Sequence, residues 1–106
     1  MKVSANFDNK ILYLYPTGDL DHHGAKKAMN TIESRIDLTL PKSCILDMQY
    51  VTFMDSSGIA VILKTLRLVS EAGGKLTVEN VPPQAMRVID AAGIDRLVQI
   101  TALTKE

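Results

Sequence analysis

The spacing of hydrophobic positions along the chain changes period several times, and each change marks an element. Residues 3–7 and 10–15 read as two short strands. Asp8-Asn9 between them is the expected turn, because both side chains tolerate left-handed backbone and bond locally. Ile11 to Tyr15 is almost continuously apolar, the pattern of a strand covered on both faces, and Pro16-Thr17-Gly18 is its expected end. Over residues 22–37 the period becomes helical. Ala25, Ala28, Met29, Ile32 and Ile36 share one side, and Lys26, Lys27, Asn30, Glu33 and Asp37 the other. Asp21 stands at the N-cap position, with Leu20 before it as a hydrophobic staple.

Pro41-Lys42 opens a new element. Cys44, Ile45, Leu46 and Met48 predict a short buried strand, leading past Asp47 and Gln49 into a loop with Tyr50, Val51 and Phe53. A second helix starts near Ser56 or Ser57 and runs to Ala72, where Gly73-Gly74 stops it. Ile59, Ile62, Leu63, Leu66 and Val69 form its expected core face, with Lys64, Arg67 and Glu71 opposite. Lys75 to Glu79 is another strand. Pro82-Pro83 opens a third helix, with Met86, Ile89 and Ala92 on one face and Gly93 at its end. Leu97, Val98 and Ile100 make a last short strand. The order β-β-α-β-α-β-α-β predicts an α/β domain over residues 1–106. Its sheet is small and mixed, of about five strands, mostly parallel with an antiparallel N-terminal hairpin, and helices pack against it.

Charge narrows the range of partners. The chain has 12 basic and 12 acidic side chains, six of each in residues 1–53 and six of each in residues 54–106. With no basic block to neutralise phosphates, nucleic acid is not an expected partner. There is no acidic tail and no polybasic membrane patch. The length, 106 residues, suits one domain with a single core. Cys44 is the only cysteine, so no intrachain disulfide forms and nothing points to an oxidising compartment. Met1 to Asp8 lacks a signal-peptide core, and the longest strictly apolar run, Ile59 to Leu63, falls far short of a membrane span. A soluble cytoplasmic domain is the expectation.

The segment Phe53-Met54-Asp55-Ser56-Ser57-Gly58-Ile59 carries the candidate chemistry. Two serines and a glycine stand at the mouth of an apolar helix. Unpaired backbone N–H groups and the positive end of the dipole favour a phosphate on a serine there. Gly58 leaves room for another backbone or a ligand to approach. The plainer reading is that Asp55, Ser56 or Ser57 caps the helix.

This segment resembles the phosphorylation-site motif of the anti-sigma factor antagonists, which are single STAS domains. Gly18-Asp19-Leu20-Asp21-His22-His23 resembles the Gly-Glu-Leu-Asp-His-His segment of the same family, and the sporulation type, directed at an anti-sigma F factor, is the most specific match. The similarity extends over roughly residues 3–100, with both motifs in the family's order. It implies a binding protein and kinase substrate rather than an enzyme. The unphosphorylated form would bind an anti-sigma factor that is also a serine kinase and so release the sigma factor. Phosphorylation of Ser56 would end that binding, and a PP2C-type serine phosphatase would restore it. No cofactor is implied, since the partner kinase uses the ATP. Ser57 matches the neighbouring serine that shapes the helix start, and Asp21 an aspartate associated with partner recognition.

The candidate partner-binding set around Ser56 is Asp21, Asp55, Ser57, Gly58, Ala60, Val61, Lys64 and Leu68. Val61 and Leu68 lie on a flank of the polar stripe and are more apolar than a solvated edge requires. Either they dock the kinase together with Ala60 and Lys64, or neighbouring residues cover them. Ala60 departs from the glycine the family often has there. Residues 101–106 leave at most one turn of the C-terminal helix that family members usually carry. The alternative function is a non-switching scaffold subunit of a stressosome-like or transport-associated assembly.

Other constellations are weaker. His22-His23 has no third histidine, and adjacent helical side chains point about 100° apart, so a helix-start role outweighs a metal site. The frame Met54-Asp55-Ser56-Ser57-Gly58 lacks the first glycine of a hydrolase nucleophile elbow. A phosphoaspartate receiver built on Asp47 or Asp55 would need an acidic pair, and no Asp-Asp or Glu-Asp occurs. Gly73-Gly74 lacks a phosphate-loop frame.

Overall fold

The structure is a computed structural model that describes residues 1–104. Strands β1 (Lys2–Asp8) and β2 (Ile11–Leu20) form an antiparallel hairpin with Asp8 opposite Ile11. Its two-residue loop is Asn9-Lys10, left-handed at both positions (φ 52° and 66°), a twist that suits a tight hairpin. The turn therefore sits one residue later than Asp8-Asn9.

β2 also passes its expected end at Pro16-Thr17-Gly18 and continues to Leu20. Ile11–Leu14 pair in parallel with β3 (Ser43–Asp47), and Gly18–Leu20 with β4 (Val51–Met54). Pro16 falls in the gap between these partners, so the N–H it lacks is not missed on that side. The register slips between Gly18 and Asp19, and Gly18 takes φ 108°, which a side chain would strain.

β4 replaces the expected loop around Val51 and Phe53 and makes the sheet six-stranded rather than about five-stranded. Four residues with buried ends and an exposed middle show no alternation. They form a strand because the far end of β2 offers them a partner.

The remaining elements are α1 (His22–Thr39), α2 (Ser56–Glu71), β5 (Lys75–Val81), α3 (Pro83–Ala92), a 3-10 turn (Ile94–Arg96) and β6 (Gln99–Ala102). The sheet order is β1-β2-β3-β5-β6 with β4 beside β2, and only β1 runs antiparallel. Each helical crossover steps the same way along the sheet, so right-handed connections put all three helices on one face. Leu12, Leu14, Cys44, Leu46, Leu76 and Val78 are buried beneath them. Each fully buried Leu or Ile contributes about 1.5–3 kcal/mol. Their alternates Tyr13, Tyr15, Ile45 and Thr77 are half-buried on the open face. β2 is thus covered on one face, not both.

α2 differs from its expected face. Gly58, Val61, Ile62, Thr65 and Val69 are buried, Ile59 and Leu66 are half-buried, and Leu63 is 39% exposed. The helix packs on the sheet and sideways against α1, which turns the buried face toward Val61. Thr65 is satisfied by donating its Oγ1 hydrogen to the Val61 carbonyl at 2.7 Å. In α3, Ala85 and Ile89 are buried while Ala92 is exposed. Leu97 lies before the last strand and is 60% exposed. Thr101 and Ala102 belong to β6 rather than to a helical turn, and residues 105 and 106 of that expected turn lie outside the described residues.

Candidate functional site

The pairing of β2 with β4 brings the two sequence motifs together. Leu20 is opposite Met54, so Asp21 and Asp55 emerge at the carboxyl ends of neighbouring parallel strands. Each carboxylate caps the helix that follows. Asp21 Oδ1 accepts from the Gly24 amide at 2.9 Å, and Asp55 Oδ1 from the Ser57 amide at 2.8 Å. The Gly24 N–H is the main reason that the Asp21 carboxyl titrates below its usual value. A third link ties the strands, as Thr52 Oγ1 donates to Asp19 Oδ1 at 2.7 Å.

Of the three capping candidates, Asp55 does the work. Ser56, the first residue of α2, is exposed, and its hydroxyl makes no hydrogen bond among the described residues. Gly58 does not leave space for an outside group. A Cβ there would lie 2.5 Å from Met54 Cγ and 3.1 Å from Leu20 Cδ2, so the protein's own core fills the room.

Two grooves flank the start of α2. One, of about 390 Å³ between α1 and α2, is lined by His22, Met29, Ser57, Ala60, Val61 and Lys64 among others. The other, of about 510 Å³ between α2 and α3, is lined by Ser56, Ile59, Gln84, Arg87 and Val88 among others. The adjacent serines therefore open to opposite sides. Lys64 Nζ also pairs with Glu33 Oε2 of α1 at 3.2 Å, and such an exposed pair stabilises little.

Ser57, Ala60, Val61 and Lys64 of the candidate set thus share one groove. Val61 is only 2% exposed and forms part of its floor, so of the two readings of that flank the one in which neighbouring residues cover it holds for Val61. Leu68 is half-buried and lines neither groove. Asp21 and Asp55 sit at the helix mouths.

Gln84 is absent from the sequence-based set. Its Nε2 donates to the Met54 carbonyl at 2.8 Å, and its Oε1 accepts from the Met54 amide at 2.9 Å. One side chain of α3 thereby holds both polar groups of the residue two before Ser56. Nothing in the periodicity of α3 marks it. The α1 residues His22 and Met29 also line the first groove, although sequence position places His22 at the helix start and Met29 on the core face.

The other nucleophiles and ligand types are otherwise engaged. The Asp47 carboxylate accepts from the Gln49 amide, Gln49 Nε2 and Asn80 Nδ2 at 3.0–3.1 Å. Burial pushes the Cys44 thiol up to about 12. The exposed rings of His22 and His23 meet edge to face with centroids 6.0 Å apart. Among the described residues no three His, Cys, Asp or Glu side chains are grouped to hold a metal, and no helix is long and apolar enough to cross a membrane.

A family profile described as STAS domain matches residues 2–106. The chain belongs to the STAS domain family. Among curated relatives of this STAS domain, the anti-sigma F factor antagonist of Paenibacillus polymyxa is 27% identical over 100 residues, covering 94% of this chain and 86% of its own. The anti-sigma-B factor antagonist of Bacillus subtilis is 30% identical over 89 residues, covering 80% and 76%. Among solved structures, the anti-sigma factor antagonist SpoIIAA in its unphosphorylated form aligns with a TM-score of 0.78 at 21% identity, over 93% of this chain and 87% of that one. At that identity the likeness is one of fold. The hairpin, the parallel strands and the helices on one face are thus those of a STAS domain.

Proposed function

We propose that this STAS domain is an anti-sigma factor antagonist that acts in the cytoplasm by partner switching. Its unphosphorylated form binds an anti-sigma factor with serine kinase activity and releases the sigma factor. The kinase uses ATP to phosphorylate Ser56, binding ends, and a PP2C-type serine phosphatase resets the protein. The domain itself is a binding module and a substrate, with no cofactor of its own. The names of the curated relatives support an anti-sigma factor as the partner.

The observation that carries this reading is the Ser56 hydroxyl, unengaged among the described residues, at a helix start that Asp55 already caps. Modification there costs the fold no hydrogen bond. A phosphoserine adds about −1.5 to −2 charges near neutral pH. Those charges would join the carboxylates of Asp55 and Asp21 at the mouths of α2 and α1. A partner carboxylate that tolerates the hydroxyl would be repelled, and a close-packed surface would clash with the added oxygens. The effect is local, because exposed charges more than about 8–10 Å away are largely screened. A coupling of about 1–3 kcal/mol weakens binding roughly 5–150-fold. The interface takes in Ser56 itself and, next to it, Ser57, Ala60 and Lys64 along the α1 groove.

Incubation with the candidate kinase and ATP, followed by mass spectrometry, tests the reading. Wild type should gain one phosphate on Ser56 and Ser56→Ala none. No gain by wild type, or equal gain by the variant, would leave the scaffold function instead.

A further inference from the structure

Arg87 stands one turn after Gln84 on α3, so the two share a helix face. Gln84 fixes that face against the end of β4 through its two hydrogen bonds to Met54. The register between α3 and the start of α2 is therefore set two residues before Ser56. Arg87 and Ser56 then line the same groove, about 510 Å³ in volume and closed on its apolar side by Ile59 and Val88. Arg87 is exposed and makes no ion pair or side-chain hydrogen bond among the described residues. An unengaged guanidinium and an unengaged hydroxyl thus line one groove.

We propose that Arg87 receives the phosphoryl group of Ser56, holding it in the α2–α3 groove by paired N–H···O bonds. The inference rests on the reading of Ser56 as the modified residue. In the modification, the Ser56 Oγ–P bond forms and the bond between Pγ and the bridging oxygen of ATP breaks. ADP leaves, and the hydroxyl proton passes to a base of the kinase. The product has three acceptor oxygens where the serine had one. A guanidinium fork matches two of them, and the pairing is of the strong charge-assisted kind. Among the described residues Arg87 is the one charged residue lining the groove, and the carboxylates on the adjoining elements are Asp55 and Asp21 at the helix mouths and Asp90 three residues after Arg87 on α3. All three oppose the phosphate, so Arg87 is the cation that decides where it rests. The cations of the α1 side, Lys26 and Lys64, line the opposite groove. The modified side chain accordingly turns toward α3, away from Ser57.

The test uses the full chain with phosphoserine built in at position 56 during translation, so it needs no kinase. Phosphorus NMR follows the second ionisation of the phosphate with pH. With Arg87 present it should occur about half a pH unit or more below its position in Arg87→Gln. Arg87→Lys, which keeps the charge but lacks the fork, should fall between them. Arg35→Gln removes the same charge about 20 Å along α1 from the site and should match the parent chain. An unchanged ionisation in Arg87→Gln, or an equal displacement in Arg35→Gln, would overturn the proposal. A kinase that ignores Ser56 would instead count against the proposed function and leave this result standing.

Discussion

The Asp55 carboxylate accepts the Ser57 amide hydrogen at 2.8 Å, across a residue whose own hydroxyl is unengaged among the described residues. Capping and signalling are therefore carried by different side chains. Ser56 can gain a phosphate without releasing a contact that holds α2, and Asp55 can hold α2 whether or not Ser56 is modified.

That division of labour separates two substitutions. Asp55→Ala should destabilise the fold by about 1 kcal/mol, the usual cost of a lost cap. Ser56→Ala should change stability by less than about 0.5 kcal/mol, as for a surface position without special contacts. Urea unfolding measures both, and a larger loss for Ser56→Ala would mean that the hydroxyl does structural work.

Gln84→Ala removes both partners of the Met54 peptide. It should cost about 1–3 kcal/mol, and the Met54 amide should exchange its hydrogen faster than in wild type. Amide exchange followed by NMR reads that position directly. Unchanged protection would show that water replaces the carboxamide without loss.

Val61 and Lys64 should part company. Val61 is buried at 2% exposure, so Val61→Lys should cost about 3 kcal/mol or more by burying a charge. Lys64 is exposed and, among the described residues, joined only to Glu33, so Lys64→Glu should change stability by less than about 1 kcal/mol. It should nonetheless weaken partner binding. Thermal unfolding beside a binding assay distinguishes the two outcomes.

The Cys44 thiol provides a pH test. Burial raises it from 9.0 to about 12, which favours the neutral form in the fold. Its contribution to stability is complete below the unfolded value near 9 and is lost as pH rises toward 12. At pH 8, iodoacetamide should label the native chain about tenfold or more slowly than the urea-unfolded chain. Equal rates would mean that the strand opens readily.

Much of this was legible in the sequence, for identifiable reasons. α1 announced itself through Asp21 and its spacing of Ala28, Ile32 and Ile36, because a cap and a 3.6-residue period are local signals. The hairpin and the order of the elements other than β4 were local too. β4 was not legible, since Val51–Met54 has no periodicity of its own and becomes a strand only through Gly18–Leu20. The buried side of α2 was displaced because α2 packs sideways against α1, with Val61 buried at the floor of the groove between them, a contact between helices distant in sequence. The Ser56 segment stood out by its residues and its family resemblance. Gln84 did not, since its two bonds reach a residue 30 positions away.

The affinity of the anti-sigma factor kinase for the two states of this chain tests phosphorylation switching most directly. It is measured by titration calorimetry, once with unmodified Ser56 and once with phosphoserine in its place. The phosphorylated chain should bind about 5–150-fold more weakly, with both forms equally folded. Equal affinity of the two forms would contradict the switch.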